Sequence, residues 1–162
     1  MACLNRGFSR GFTLVELVLV LTIAGVLAAV AGPRMVDRTA FQTHGGAAEI
    51  RTALRYAQKL ALAKNREVCV GTTATPDLTL TFNTTTTTGA ACGSQVIRPD
   101  GGSPNYTVAL PAGISLVPVT TFRFNAQGQP TNTAGVVLNA VTTLTVGGSA
   151  LIQVEPETGY VH

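Results

Sequence analysis

The stretch from Phe12 to Ala31 is 20 residues long, and Glu16 is its only charged residue. As an α-helix it would rise about 30 Å, the thickness of a bilayer's hydrocarbon core. This run constrains the chain more than any other feature, because a segment so apolar reads as a membrane anchor. An acid in such a helix costs up to about 2.5–3.5 kcal/mol at the centre and less near an end. Glu16 must therefore reach the interface, take up a proton or meet an opposite charge. The preceding residues, "MACLNRGFSRG", carry Arg6 and Arg10 and no acid. Positive charge before an apolar run holds that end in the cytoplasm. A cleaved secretory signal is the alternative, since "LAAVAGP" supplies small residues. An ordinary signal, however, has a shorter apolar core, and an acid inside one is unusual.

The residues around the acid, "RGFTLVEL" (10–17), resemble the N-terminal motif of type IV prepilins and type II secretion pseudopilins. That motif is a basic leader ending in Gly, then Phe-Thr-Leu-Val-Glu-Leu opening an apolar helix. In "AGPRM", Pro33 stands where pilin helices commonly carry a proline. The resemblance implies that a prepilin peptidase cuts between Gly11 and Phe12 on the cytoplasmic side, and that Phe12 is then N-methylated. It also implies that Glu16 pairs with the free amino end of Phe12 on a neighbouring subunit during assembly. In low dielectric each group would relieve the other's uncompensated charge, and a subunit docked out of register would leave both unpaired. The plainer alternative is an acid tolerated near the headgroups of a simple anchor.

The resemblance divides the chain into a leader peptide, residues 1–11; a transmembrane and assembly helix, 12–31; an amphipathic helical region, 32–66; and a β-rich globular domain, 67–162. It implies a single-pass protein of the bacterial inner membrane, its C-terminal domain in the periplasm, that later enters a pilus or pseudopilus. The net charge of +3 falls when Arg6 and Arg10 leave with the leader, since 9 basic and 8 acidic side chains then remain. A near-neutral body has no global attraction to nucleic acid or acidic surfaces. Cys3 also leaves, and Cys69 and Cys92 remain. An even pair in an oxidising compartment reads as a disulfide, with two unpaired thiols as the alternative. Two cysteines and two distant histidines lack the spacing of a metal site, and no cofactor is expected.

"AAEIRTALRYAQKLALAKN" is amphipathic. Ala47, Ile50, Ala53, Leu54, Ala57, Leu60 and Ala61 recur at helical spacing and mark a buried face. Arg51, Arg55 and Lys59 fall at i, i+4 and i+8 and form a basic stripe. Asn65 is a helix stop. Upstream, Pro33 and the pair Gly45–Gly46 are weak points, so the helix is either continuous with bends or melted between Gly32 and Gly46. Beyond Arg66 come "EVCVGT", "LTLTF", "YTVAL", "ISLVPV", "TFRFN", "GVVL", "TLTVG" and "ALIQVE", short β-branched stretches separated by turn residues. The expected fold class is α+β and pilin-like: a long N-terminal helix whose amphipathic half packs on an antiparallel β-sheet domain. "NTTTTTGAACGS" (83–94) reads as a surface loop tied down by Cys92. Asn83 and Asn105 stand in glycosylation sequons, in a body where Asn and Thr are simply common.

The helix "ALRYAQKLALAKNREVCV", then "FRFNAQGQP", then "IQVEPETGYV" are together similar to the GspH/FimT group of minor pilins and pseudopilins. "GPRMVDRTAF" with "LRYAQKLALA" is also similar to minor pilins of the mannose-sensitive haemagglutinin pilus. These resemblances imply a minor subunit that initiates or caps a filament, with other pilin subunits, prepilin peptidase and the inner membrane as partners. Some members of the group bind DNA through C-terminal arginines. Here the ending is "TGYVH", with Tyr160 and His162, and the last basic residue is Arg123. That departure leaves the stripe Arg51, Arg55, Lys59 as the candidate for phosphate contacts, against a solvated face or a subunit contact. No catalytic constellation is present: His44 and His162 lie in unrelated contexts, and Asp77, Asp100, Glu155 and Glu157 sit among turn residues. An enzyme is not expected.

Overall fold

The computed structural model describes residues 12–31, 38–73, 77–102 and 105–162. The chain divides after Arg38 into two compact units.

The first unit carries helix α1, Leu14–Ala31. Thr13 caps it: its hydroxyl accepts the Glu16 N–H at 3.2 Å and its carbonyl accepts the Leu17 N–H at 3.1 Å. "Thr-Leu-Val-Glu" has the spacing of a capping box, so Thr13 and Glu16 also serve to start the helix. α1 is apolar around its whole circumference. Its large apolar side chains from Leu14 to Val30 are all at least half exposed. The 18 residues rise about 27 Å. Among the described residues no helix is long and apolar enough to cross a membrane.

The second unit is headed by α2, Arg38–Lys64, a continuous helix of 27 residues of which all but Arg38 fall in that unit. Melting as far as Gly46 therefore does not occur over the described part, while Pro33 lies outside the described residues. The reason is packing. Gly46 is buried, and a Cβ there would stand 2.6 Å from Leu110 Cδ2. The glycine costs the helix about 1 kcal/mol relative to alanine, but it admits Leu110 to the helix surface. The buried face is Thr43, Gly46, Ala47, Ile50, Ala53, Leu54, Ala57 and Ala61. Leu60, expected on it, is only partly buried at its margin. Asn65 ends the helix at φ 49°, with the Arg66 N–H reaching the Ala61 carbonyl at 3.3 Å. This is a left-handed cap with a six-to-one bond.

Nine strands follow: β1 Val68–Thr72, β2 Asp77–Asn83, β3 Cys92–Gln95, β4 Tyr106–Ala109, β5 Leu116–Val117, β6 Thr121–Phe124, β7 Pro130–Thr131, β8 Thr142–Val146 and β9 Ala150–Val154. All the pairings are antiparallel, but they make two sheets. One has the order β3-β2-β1-β6-β7, with β4 also paired to β2; the other is β5-β8-β9. β4 takes Asp77–Leu80 of β2 and β3 takes Thr81–Asn83, so both share one edge of that strand. Val68, Val70, Leu78, Leu80, Phe122 and Phe124 from the larger sheet join Leu144, Val146, Ile152 and Val154 from the smaller one in a single core with α2.

Four stretches depart from the sequence reading, and one is Pro130–Thr131, at the end of the turn stretch "NAQGQP", which pairs with β6 as β7. "GVVL" is not a strand: only Val137 forms an isolated bridge, to Thr131. The Asn132 side chain accepts the N–H groups of Ala134 and Val136 and holds this segment in a turn. "ISLVPV" gives only Leu116–Val117, because Pro118 has no N–H to continue a ladder. Conversely, the end of the Thr-rich segment is strand β3, paired through Cys92, Ser94 and Gln95. The C-terminus covers the outer edge of β9: Gln153 and His162 exchange two backbone hydrogen bonds at 2.9 and 3.0 Å.

Candidate functional site

Phe12 opens the described part of the first unit, and its side chain is exposed. Gly11 lies outside the described residues. Glu16 sits in the first turn of α1, where the helix dipole favours an acid. Its carboxylate has no hydrogen-bond or ion-pair partner among the described residues. The end of α1 is therefore an exposed aromatic residue, a capped turn and an acid without a partner among the described residues, continued by a surface on which Thr22 is the one further polar side chain.

In the second unit the basic stripe of α2 is largely engaged by the body itself. Arg51 Nη2 donates to the Leu151 carbonyl at 3.2 Å. Arg55 Nε and Nη2 both donate to the Val161 carbonyl, at 3.1 and 2.9 Å. One turn on, Gln58 Nε2 donates to the Thr158 carbonyl at 2.7 Å. These side chains fasten the last strand and the C-terminal segment to the helix. Lys59 alone of the stripe remains unengaged among the described residues. His162 Nε2 lies 3.5 Å from Glu155 Oε1, a local contact within the same segment.

Sequence reasoning missed a buried polar centre. Arg123 Nη1 and Glu67 Oε2 are 3.0 Å apart, with 7% and 6% side-chain exposure. Arg123 also donates to the Ala90 carbonyl at 2.6 Å. The Glu67 carboxylate accepts the Gly89 N–H at 3.0 Å and Asn83 Nδ2 at 3.4 Å, and Asn83 donates in turn to the Thr87 carbonyl at 3.1 Å. Cys69 and Cys92 are joined in a disulfide beside this centre, Cα to Cα 6.2 Å. The available signal was strand alternation. Cys69 is directly opposite Arg123, and Glu67 lies two residues before Cys69 on the same face. In the chain-entropy model a loop this long is worth about 3 kcal/mol. Reduction is expected to lower the urea midpoint of the body accordingly, and an unchanged midpoint would refute that contribution.

The sequons separate by burial. Asn83 is fully buried and bonded within the polar centre, whereas Asn105 is exposed. A groove of about 300 Å³ at the β3–β4 notch is lined by Thr79, Thr81, Gln95, Asn105, Tyr106 and Thr107 among others. Its lining holds no carboxylate or histidine. The Tyr106 hydroxyl titrates higher than usual, chiefly because of burial and despite Arg98 over its ring. Nearby, the Asp100 carboxyl is held below its ordinary value, first by the Gly102 N–H and also by Arg98. This is a capped turn rather than an acid–base pair. Among the described residues no three histidine, cysteine or acidic side chains are grouped as metal ligands.

Residues 5–32 match the prokaryotic N-terminal methylation motif, and residues 46–156 match the family described as type II transport protein GspH. No curated protein and no solved structure matches the chain. The GspH match spans well over half of the sequence and takes in most of α2 and all nine strands. With the methylation motif at the head of a strongly apolar helix, the chain belongs to the GspH family and is a membrane-associated subunit of the type IV pilin or pseudopilin kind.

Proposed function

We propose that this chain is a minor subunit that initiates or caps a type IV pilus or type II secretion pseudopilus. Prepilin peptidase cuts between Gly11 and Phe12, Phe12 is N-methylated, and α1 anchors the subunit in the inner membrane with the body in the periplasm. The described helix is about 3 Å shorter than the hydrocarbon core, a mismatch that costs only fractions of a kcal/mol per Å. The observation that carries the reading is the end of α1. Glu16, one turn from Phe12, has no partner among the described residues, on a helix whose surface is apolar apart from Glu16 itself and Thr22, which bonds the Leu19 carbonyl. Lipid covers that surface before assembly and neighbouring helices cover it afterwards. The Glu16 carboxylate then meets the Phe12 ammonium of an adjacent subunit.

Glu16→Ala is expected to leave leader cleavage intact and to lower incorporation into filaments at least roughly tenfold, equivalent to about 1.4 kcal/mol of lost pairing. Immunoblots of sheared filament and membrane fractions would measure it, and wild-type incorporation by the variant would sink the assembly role. The alternative, a DNA-binding subunit displayed on a filament, needs a cationic surface. Two of the three stripe residues spend donors on Leu151 and Val161 instead. The assembly reading is therefore preferred.

A further inference from the structure

Five consecutive threonines, Thr84–Thr88, form the exposed part of the β2–β3 connection. Threonine favours strands, yet here the run turns, because it is held from beneath. Thr84 N donates to the Ala91 carbonyl at 2.8 Å, and Ala90 N to the Thr87 carbonyl at 3.2 Å. Gly89 N is held by the buried Glu67 carboxylate, and Cys92 is tied to β1. The neighbouring turn braces it from the side. A Cβ on Gly89, whose φ is +75°, would stand 3.0 Å from the Ala134 carbonyl oxygen, and one on Gly135 would collide with the Thr88 methyl group. A buried ion pair and a disulfide thus fix a loop whose five threonines are all exposed.

Four of the five hydroxyls have no protein partner among the described residues. Only Thr85 Oγ1 takes a protein partner among the described residues, the Thr87 N–H at 3.3 Å. Residues 84–91 carry no charge. Beside them the braced turn leaves Val136 and Val137 62% and 44% exposed. The result is a rigid, neutral, hydroxyl-bearing projection next to a bare apolar patch.

We propose that Thr84–Thr88 is an acceptor site for O-linked glycosylation. A threonine Oγ attacks the anomeric carbon of a sugar activated as a phosphate ester and presented by a glycosyltransferase. The Oγ–C1 bond forms, the C1–O bond to phosphate breaks with its electron pair leaving on phosphate, and the hydroxyl proton passes to a base of the transferase. No oxidant or reductant is required. The protruding, uncharged loop gives a transferase access to the acceptor, and the C–H face of an attached sugar can cover Val136 and Val137. This goes beyond the assembly reading and does not depend on it.

The test is mass spectrometry of the full chain purified from the cells that produce it, with electron-transfer fragmentation of the peptide containing residues 84–91. The expected result is an added hexose, N-acetylhexosamine or deoxyhexose residue on one or more of these threonines. An unmodified peptide overturns the proposal whatever the state of the N-terminus, and the same intact mass reports leader cleavage separately. In a variant combining Thr84→Ala, Thr85→Ala, Thr86→Ala, Thr87→Ala and Thr88→Ala, the sugar increment is expected to vanish while the Cys69–Cys92 bond persists. Retention of the full increment would place the sugar elsewhere and overturn the proposal. Should the variant fail to fold, the wild-type peptide decides alone.

Discussion

Arg123→Met is expected to destabilise the body by about 3–5 kcal/mol, because it leaves a buried carboxylate without its counter-charge. Glu67 is nearly enclosed, and Arg123 is its only cationic partner among the described residues. The Asn83 and Gly89 donors remain, but they were satisfied beside a neutralised pair, not an isolated charge. Adding Glu67→Gln removes the orphaned charge, so the double variant should recover much of the loss. Urea unfolding of residues 39–162 for the wild type, both single variants and the double variant would measure the coupling. Additive losses would mean that the pair does not act as a unit. The Arg123 variant should also expose the 84–91 backbone to hydrogen exchange, since the Ala90 carbonyl loses its donor.

Gly159→Ala is the other substitution with a large expected effect. Gly159 has φ +65°, and a Cβ there would lie only 1.9 Å from the Gly128 carbonyl oxygen. Both atoms belong to fixed turns: Gln58 Nε2 reaches the carbonyls of Thr158 and Gly128, and Gln129 Nε2 reaches that of Glu157. Neither backbone can yield without losing its bond to α2 or to the other turn. Overpacking costs about 1–3 kcal/mol and a left-handed non-glycine residue about 1–2 kcal/mol. The expected loss is therefore about 2–5 kcal/mol. Its signature would be fraying of Thr158–His162, seen as faster amide exchange at His162. A variant with wild-type stability and exchange would show that the two turns do not pack as tightly as the geometry requires.

Both effects arise from contacts that no local pattern announces. The helix from Ala47 to Lys64 was legible because its buried residues repeat at three- and four-residue spacing. β1, β2, β4, β6, β8 and β9 were legible because β-branched and apolar residues alternate between turn signals. The same rule misread "GVVL", whose apolar residues are held in a turn by Asn132. It also missed β3, where Gly93 and Ser94 carry no strand signal but β2 offers a free edge. The pair Gly45–Gly46 looked like a break because glycine weakens an isolated helix, and tertiary contact with Leu110 reverses that expectation. The basic stripe was visible at its spacing. What occupies two of its members was not, since Leu151 and Val161 lie about a hundred residues further along the chain.

By itself the sequence determined the membrane-associated head of this protein. The positive charges of Arg6 and Arg10, the capped Phe-Thr-Leu-Val-Glu opening and the apolar run that follows it are local properties, set by side-chain hydropathy and spacing alone. It also determined that one amphipathic helix precedes a β-rich body. Only the tertiary structure decided that the strands split into two sheets, that Arg51 and Arg55 face the chain's own carbonyls, and that Glu67 and Arg123 neutralise each other beneath a threonine loop. The physical reason is range. Periodicity reports which face of an element is apolar, but a hydrogen bond or ion pair is satisfied by whichever group the fold brings within about 3 Å, however far away it lies in sequence.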